Sequence, residues 1–425
     1  MELFQAVLKR AFWAAEATLQ VNRGVIAAFA GVRAHQRTSL ALRYWGWRKF
    51  FNLILVELQL RFGGSRVWGY PFEWEVDTTN ICQLKCPLCH TGLGTVHRDK
   101  GVMHFNTFAS IVDQIKGYCV WLSLYSWGEP FLNREIDRFI AHAHERRIAT
   151  IVSSNLNKPL TPEMAERLIR SGLDVLIVSL DGTTQDVYEV YRVTGHLERV
   201  MDNLRLIVET RKRLGSKTPF LEWQYIVMRQ NEHQVEDAKR MAEELGVDTI
   251  TFKRVDFPHG SEDIELARQW LPRAELEARL ANPFRKPYAE DGARCWRLWR
   301  SAVVNWDGGY APCCYLTDAA DDFGDVREHT IKEIWNNRQY RTARGLFGKS
   351  EVPREYVGCI DCSVYTGSRA AKSHDPSNMP RRNGHRPGAR VPLPLKVTGN
   401  EEDGYVPETE RVGAGEGVRA ASGDC

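Results

Sequence analysis

The 425-residue sequence lacks an apolar run long enough to cross a bilayer. Its best runs, 24–32 and 51–56, fall far short of the roughly 20 residues that a spanning helix needs. The N-terminus also lacks the layout of a secretory signal, because Glu16 and Arg23 interrupt its apolar segment. We therefore predict a cytoplasmic protein, with peripheral contact at a membrane surface as the alternative.

A strong excess of one charge is absent as well. The formal net charge is only +3, so we expect no nucleic-acid partner. The charge is uneven, however, because residues 1–70 hold ten Lys or Arg against three Asp or Glu, with tryptophans between them. Two interpretations fit this region. We prefer a helical cap packed on the main domain, and the other is a helix lying on an anionic membrane surface.

The cysteine spacing is not typical of a secreted disulfide set. The ten cysteines include two clusters, at 82–89 and 295–362, and such clustering in a cytoplasmic chain is more typical of metal binding. Cys119 opens an apolar strand pattern and Cys425 lies near the end of a polar tail. We expect neither of these two to bind a metal.

Strand and helix patterns alternate from residue 72 to about residue 254. Runs typical of strands cover 72–77, 120–125, 149–153, 175–180, 220–228 and 249–252. The helical patterns between them call for parallel strands with right-handed crossovers. Because six units are fewer than the eight of a closed barrel, the sequence predicts an α/β fold, a partial (β/α)6 TIM-like barrel. In such folds the site lies at the carboxyl ends of the strands.

Composition divides the chain into five predicted parts. They are a basic, aromatic, helical region at 1–70, the barrel at 71–256, a bridging helix at 257–289, a cysteine-bearing domain at 290–368 and a disordered tail at 369–425. The tail is rich in Pro, Gly, Arg and Ser and has no apolar periodicity, which is typical of disorder.

The first cysteine cluster, Cys82, Cys86 and Cys89, directly follows the first predicted strand. Three thiolates in one loop can hold three corners of an iron–sulfur cubane and leave the fourth iron open for chemistry. A structural zinc site is the alternative, with His90 or His97 as a fourth ligand. Zinc loops, however, usually space their ligands as two separate pairs.

This Cys-x3-Cys-x2-Cys loop resembles that of the radical S-adenosylmethionine superfamily, and the resemblance covers most of residues 72–367. It implies a [4Fe–4S] cluster whose open iron chelates S-adenosylmethionine. Reductive cleavage then gives a 5′-deoxyadenosyl radical that abstracts a hydrogen atom from substrate. An external electron donor of the flavodoxin or ferredoxin type is implied too. The cofactors carry this chemistry, and the protein orients them.

The resemblance extends to the strand ends. Residues 127–130 are similar to the family's Gly-Gly-Glu-Pro element, with Trp127 in place of the first glycine, and Glu129 is implied as an acceptor for the cofactor's ammonium. An arginine matching Arg192 pairs with the cofactor's carboxylate in related members. Asp181 is interpreted either as a catalytic, substrate-facing acid or as a helix N-cap. The implied cofactor-binding set is Gly128, Glu129, Pro130, Ser153, Ser154, Asn155, Ser179, Arg192 and Met228.

The second cluster contains four candidate metal ligands and one competitor. The ligands are Cys295, Cys313, Cys359 and Cys362, with Cys314 as the competitor or as a catalytic thiol beside the site. An Asp-Gly step predicts a hairpin that joins 302–305 to 310–313. On spacing alone four cysteines also fit zinc. The arrangement resembles the family's C-terminal SPASM extension in its shorter twitch form, which implies one auxiliary iron–sulfur cluster, expected to be [4Fe–4S].

Several reactions fit these features. The preferred hypothesis is oxidation (dehydrogenation) or epimerisation of a sugar or cyclitol, in which the auxiliary cluster accepts an electron or a thiol, Cys314 or Cys119, returns a hydrogen atom. The alternatives are a peptide-modifying maturase and an enzyme for a lipid-linked substrate, the latter served by residues 1–70 at a membrane surface. A non-catalytic electron carrier is the least favoured hypothesis. The substrate is therefore expected to be a small molecule or a peptide.

Overall fold

Six parallel strands follow one another in chain order, as the sequence predicts. The structure, a computed structural model, describes residues 43–257, 264–281, 295–347, 355–366 and 379–380. The six strands are β1 (Glu73–Val76), β2 (Trp121–Ser123), β3 (Ala149–Ser154), β4 (Val175–Ser179), β5 (Phe220–Val227) and β6 (Thr249–Arg254). Each pairs in parallel with the next. Because β6 forms one edge of the sheet, the barrel stays open, which confirms a partial barrel.

The C-terminal extension continues the same sheet. Strand β7 (Ser301–Val304) pairs in parallel with β1, and β8 (Gly309–Ala311) and β9 (Gly324–Asp325) follow in antiparallel pairing. The sheet order is therefore β6-β5-β4-β3-β2-β1-β7-β8-β9. The predicted hairpin is present, and its first strand also extends the barrel, which the sequence analysis did not foresee. All four residues of β7 are buried, as expected for a strand covered on both sides.

Helices lie between the strands and around the extension. The longer ones are α1 (Trp47–Phe62), α3 (Phe105–Ile115), α4 (Ile136–Glu145), α5 (Pro162–Arg170), α6 (Gln185–Tyr191), α7 (Leu197–Arg213), α8 (Val235–Leu245), α9 (Ile264–Trp270), α10 (Arg273–Ala281) and α13 (Arg338–Gly345). The shorter ones are α2 (His90–Leu93), α11 (Arg297–Arg300), α12 (Ile331–Trp335) and α14 (Ser363–Thr366). Residues 1–42 and most of the predicted tail lie outside the described residues. Among the residues described, no helix is both long and apolar enough to span a bilayer.

The buried side chain of Arg98 joins the C-terminal extension to the segment that follows the first cysteine cluster. The guanidinium of Arg98 donates to both carboxylate oxygens of Asp307 (2.6 and 2.8 Å) and to both of Asp322 (2.8 Å each). Only 3% of the Arg98 side chain is exposed. Bidentate pairs of this kind fix orientation as well as distance. The hairpin that carries Cys313 is thus held against the segment that follows the first cysteine cluster.

Helix α1 packs at the amino ends of strands β3 and β4. The ammonium of Lys49 donates to the carbonyl oxygen of Arg147 at 2.6 Å, two residues before β3. The hydroxyl of Tyr44 donates to Asp174 at 3.1 Å, one residue before β4. The helix ends at Gly63, whose φ of 72° lies in the left-handed region that favours glycine. Residues 43–62 therefore cover the end of the barrel opposite to the carboxyl ends of its strands.

Lys49 gives this contact a pH dependence. Burial lowers its pKa from 10.5 to about 8. Between these two pH values the unfolded chain binds more protons at this residue than the folded chain, so the free energy of unfolding rises with pH. Relative to a Lys49→Met variant, we expect the wild-type value to rise by about 3 kcal/mol from pH 8 to pH 10.5. Denaturant unfolding across that range checks this, with Lys116→Met, at an exposed lysine, as the control. Parallel curves for wild type and Lys49→Met would contradict it.

Candidate active site at the carboxyl ends of the strands

The first cysteine cluster lies in the loop that leaves the carboxyl end of β1. This loop is clamped against the one that follows β2, because the backbone of Glu129 donates to Ile81 O at 2.9 Å. The approach is so close that a Cβ on Gly128 would lie 1.7 Å from the carbonyl oxygen of Thr79. Only glycine fits at position 128, since any side chain would push the two loops apart.

The thiols of this cluster are free and close enough to influence one another. Burial raises the pKa of Cys82 to about 12, and the neighbouring Cys86 and Cys89 add to the shift. Burial likewise raises the pKa of Cys86 to about 11, although the adjacent Arg192 opposes it. Buried thiols such as these keep their protons at neutral pH until a metal replaces them.

This donor set fits an iron–sulfur cluster better than a single ion. Within the described residues, no three His, Cys, Asp or Glu side chains converge closely enough to hold one metal ion. A cluster does not require such convergence, because each thiolate binds a different iron. Three thiols grouped in one loop can therefore bind three irons of such a cluster and leave the fourth iron open.

Glu129 is a buried residue whose carboxylate accepts several hydrogen bonds close to the first cysteine loop. One of its carboxylate oxygens accepts from Phe131 N (3.1 Å) and from Ser154 Oγ (2.7 Å), and the other accepts from Asn155 N (2.8 Å). Only 2% of the residue is exposed. Burial raises the pKa of Glu129, and these hydrogen bonds oppose the rise. The carboxylate therefore fixes the end of β3 to the loop after β2, and its predicted contact with a cofactor ammonium stays a prediction.

The polar end of β3 meets the cysteine loop directly, and the end of β4 meets the end of β3. The amide of Asn155 donates to the thiol sulfur of Cys82 at 3.6 Å and accepts from Gln83 at 2.9 Å. Ser153 and Ser179 face each other, with their hydroxyl oxygens 3.3 Å apart. Asn155 therefore lies beside Cys82, and Ser153 and Ser179 lie together at the carboxyl ends of their strands. Their predicted cofactor contacts stay predictions.

Arg192 and Asp181 form a buried ion pair behind Cys86. Asp181 accepts from Arg192 Nε at 2.7 Å and from the backbone of Ile226 at 2.6 Å, and it is fully buried. The guanidinium also reaches Cys86, with Nη1 3.9 Å from the sulfur. The N-cap interpretation of Asp181 is wrong, because α6 is preceded by Thr184. A catalytic role for Asp181 stays a prediction, and in this structure its carboxylate positions Arg192.

Pro130 and Met228, two other predicted cofactor-binding residues, lie in different surroundings. Pro130 begins a short 3₁₀ helix at Pro130–Leu132 that the Glu129 side chain caps, so it shapes the loop. Met228 is fully buried and packs in an apolar cluster with Leu84 and Tyr191. Its predicted cofactor contact stays a prediction, since sequence periodicity alone does not separate a residue that lines a site from a core residue.

The second cysteine cluster comes together as one group of four. Burial raises the pKa of Cys359, and Cys313, Cys295 and Cys362 each add to the shift. Burial also raises the pKa of Cys295 to about 11 and that of Cys313 to about 12. All four are free thiols. Strand β8, the 3₁₀ turn at Gly358–Ile360 and the segment before α11 thus bring these four thiols near enough to influence one another, whereas the sulfur of Cys314 lies beside Arg297.

Trp127 links the two cysteine clusters. Its indole ring packs edge-on against His90, with centroids 4.8 Å apart, and its Nε1 donates to the carbonyl oxygen of Cys314 at 2.9 Å. His90 directly follows Cys89, and Cys314 directly follows Cys313. A single side chain therefore spans from the first cysteine loop to the second.

We expect Trp127→Phe to weaken this link without opening a large cavity. The ring against His90 is kept, but the Cys314 carbonyl loses its donor, so the free energy of unfolding should fall by about 1 kcal/mol. Amide hydrogen exchange at residues 313–316 should become faster. Trp45→Phe is the matched control, because the Trp45 Nε1 is buried with no hydrogen-bond partner in the described part of the chain. Equal effects of the two substitutions would contradict the assignment.

Sequence reasoning missed a cation beside the second cysteine cluster. The guanidinium of Arg297 lies 3.6 Å from the sulfur of Cys314, stacks on Trp296 and Tyr315, and lowers the pKa of Cys313 and Cys295 against the effect of burial. Its position two residues after Cys295 was a usable signal in the sequence, since cations stabilise nearby thiolates.

Two family models match this chain over its two cysteine regions. Residues 76–242 match the Radical SAM superfamily, and residues 295–363 match SPASM, an iron–sulfur cluster-binding domain. The matches begin just before Cys82 and at Cys295, so each covers one of the sites described above.

Curated relatives and solved structures agree with this assignment. A Pyrococcus furiosus protein named tungsten-containing aldehyde ferredoxin oxidoreductase cofactor-modifying protein is 23% identical over 329 residues, which is 71% of this chain and 89% of the relative. The PqqA peptide cyclase of Ruegeria pomeroyi is 27% identical over 285 residues, 62% of this chain and 74% of the relative. The crystal structure of Streptococcus suis SuiB shares the fold, with a TM-score of 0.51, 13% identity and coverage of 83% of this chain and 80% of that one.

Proposed function

The chain belongs to the radical S-adenosylmethionine superfamily and carries a SPASM domain, and from this premise we propose that it is an oxidase of C–H bonds with one auxiliary cluster. Members of the superfamily are enzymes that use S-adenosylmethionine and an iron–sulfur cluster. We assign the first cluster to Cys82, Cys86 and Cys89. The auxiliary cluster is assigned to Cys295, Cys313, Cys359 and Cys362.

When bound, these groups supply a 5′-deoxyadenosyl radical that removes a hydrogen atom and an auxiliary acceptor for the electron left on the substrate. The chain's own residues hold and orient them. Asn155 donates to Cys82 and Arg192 reaches Cys86, so both thiolates gain a polar partner on the protein side. Glu129 fixes Asn155 from below. A proton must leave the substrate as well, and an external flavodoxin or ferredoxin is the proposed electron source for each turnover.

The observation that carries the proposal is the Trp127 bridge. A protein that only initiated radicals would not need a second thiol site within one indole of the first. The 2.9 Å hydrogen bond from Trp127 to Cys314 and the ring contact of Trp127 with His90 link the loop that follows Cys89 to the loop that follows Cys313. That arrangement suits oxidation, in which an electron has to leave the substrate promptly.

The same geometry weighs against epimerisation by Cys314. Only 2% of Cys314 is exposed, and its sulfur lies beside the Arg297 guanidinium. Cys119 is fully buried, with its thiol 3.2 Å from the carbonyl oxygen of Trp121. A thiol that returns a hydrogen atom has to reach the substrate, and neither sulfur is placed to do so.

For the substrate class we prefer a peptide to the sugar or cyclitol of the sequence analysis. The similarity to a PqqA peptide cyclase, at 27% identity over 285 residues, is the observation that favours it. A cofactor-type substrate is the second candidate, since the Pyrococcus furiosus relative is named as a cofactor-modifying protein. The electron-carrier hypothesis is set aside because the chain is a member of an enzyme superfamily.

The test is incubation of the reduced, reconstituted chain with S-adenosylmethionine. We expect 5′-deoxyadenosine and methionine in equal amounts and roughly eight irons per chain for two [4Fe–4S] clusters. A peptide substrate deuterated at the reacting carbon should transfer deuterium to 5′-deoxyadenosine. If reconstituted protein forms no 5′-deoxyadenosine, the proposal fails. If 5′-deoxyadenosine forms but never gains deuterium from peptides, the proposal of a peptide substrate fails and the proposed radical chemistry stands.

A further inference from the structure

Helix α1 presents an apolar stripe on the face turned away from the barrel. The stripe consists of Trp47, Phe51, Ile54, Leu58 and Phe62, which are between 39% and 78% exposed. At about 100° per residue these five positions fall within a sector of about 80°. The buried residues of the helix lie on the opposite side: Lys49, Asn52, Leu53 and Val56. One face of α1 thus packs against the barrel, and the opposite face is apolar and exposed.

A single exposed apolar residue on a protein surface is ordinary, but a continuous stripe is not. In the described residues the other large hydrophobic side chains with comparable exposure are Trp68, Val102, Ile264 and Leu280. Trp68 lies in the loop just after the helix, and the remaining three are scattered over the barrel and α9–α10. The exposed apolar surface is therefore concentrated on one element.

Cations flank the apolar stripe on both sides. Arg48 and Arg61 are exposed and lie just beyond its two edges on the helical wheel. Arg43 and Arg66 are exposed at the two ends of the helix. Between residues 43 and 70 the one acidic residue is Glu57, and it pairs with Arg300 at 2.5 Å. The surface around the stripe is thus cationic.

We propose that the apolar stripe and its flanking arginines dock on the surface of an anionic lipid bilayer. Tryptophan and phenylalanine favour the interface between headgroups and acyl chains, and each arginine near an anionic surface adds to the attraction. Cations on both edges of a narrow apolar face match a plane of anionic headgroups. Residues 1–42 are a poorer occupant, because they hold five Lys or Arg against two Glu and would place like charge on like charge.

This docking would turn the candidate active site away from the lipid. Lys49 of helix α1 contacts Arg147 just before β3, and Tyr44, just before the helix, contacts Asp174 just before β4. Glu129 and Ser154, by contrast, lie at the carboxyl ends of the strands. The stripe and the site therefore occupy opposite ends of the barrel. A bilayer-bound enzyme would keep its site open to water, which favours a water-borne substrate over the lipid-linked one considered from the sequence.

The test is flotation of the full chain with vesicles of phosphatidylcholine, with and without phosphatidylglycerol. We expect the wild type to float with the anionic vesicles. Trp47→Gln/Phe51→Gln/Leu58→Gln should lower the partition coefficient at least about a hundredfold, because apolar area is lost from the interface. Arg48→Gln/Arg61→Gln should lower it about thirtyfold on anionic vesicles and leave neutral vesicles unaffected. Glutamine is a good helix former, and circular dichroism checks that each variant stays folded.

Ile264→Gln/Leu280→Gln is the matched control, because it removes comparably exposed apolar side chains elsewhere. Flotation equal to wild type in this control supports the stripe. Three outcomes overturn the proposal. The wild type could stay unbound, or the stripe variant could float as well as the wild type. In the third outcome, the wild type forms a dimer and binds no vesicles, whereas the stripe variant is a monomer. The stripe is then an interface between copies of the chain.

Discussion

Cys86→Ala is expected to abolish the formation of 5′-deoxyadenosine from S-adenosylmethionine, by about a thousandfold or more. Three thiolates leave one iron of a cubane open, and removing one of them leaves two irons without protein ligands. Cys86 is the most buried of the three and the one that Arg192 approaches. Iron content should fall from roughly eight to roughly four per chain, because the second cluster of cysteines is untouched.

Cys119→Ala is the matched control for this experiment. It makes the same chemical change at another buried cysteine, whose thiol donates to Trp121 O rather than facing a thiol cluster. We expect a loss of about 1 kcal/mol in the free energy of unfolding, with iron content and S-adenosylmethionine cleavage unchanged. Cleavage at the wild-type rate in Cys86→Ala, with eight irons present, would refute the assignment of this thiol.

The barrel was predictable because its strands are short, apolar and separated by amphipathic helices. Strand β4 (Val175–Ser179) is buried at every position, which accounts for its nearly continuous apolar sequence. Helix α6 (Gln185–Tyr191) is short and follows a polar turn, so its sequence carries only a weak helical pattern. The joining of β7 to β1 was missed for a different reason. Residues 73 and 301 pair although more than half of the chain's length separates them, and a local pattern does not reveal such partners.

The candidate site likewise has a part that the sequence predicts and a part that depends on contacts between distant residues. Its cysteines could be chosen from spacing, and the polar strand ends from their place after each strand. The partners of those residues could not, because they come from other strands. Glu129 accepts hydrogen bonds from Ser154, Asn155 and Phe131, and Asp181 accepts them from Arg192 and Ile226. Burial decides whether a carboxylate faces a ligand or holds a loop, and burial is a property of the assembled fold.

The second large effect is expected from Cys359→Ser/Cys362→Ser. Both residues lie within 355–366, and their thiols meet Cys313 and Cys295 on the other side of the site. We expect the loss of about half of the iron, roughly four atoms per chain. Formation of 5′-deoxyadenosine should continue, because Cys82, Cys86 and Cys89 are intact. Substrate oxidation should fall by about a hundredfold or more, since the proposed electron acceptor is gone.

The ratio of the two products makes this prediction specific. In the wild type, each 5′-deoxyadenosine should accompany one oxidised substrate, whereas the double variant should make 5′-deoxyadenosine with little oxidised product. An intact ratio in the variant would mean that these four cysteines serve structure alone, as a zinc site would. Metal analysis separates that case, because a zinc site would release zinc and leave the iron unchanged. Trp127→Phe keeps all four thiols and changes only the link between the loops. Trp127→Phe could also lower the ratio of oxidised substrate to 5′-deoxyadenosine while the iron content equals that of the wild type. In that case the indole contributes to the path by which the electron leaves the substrate.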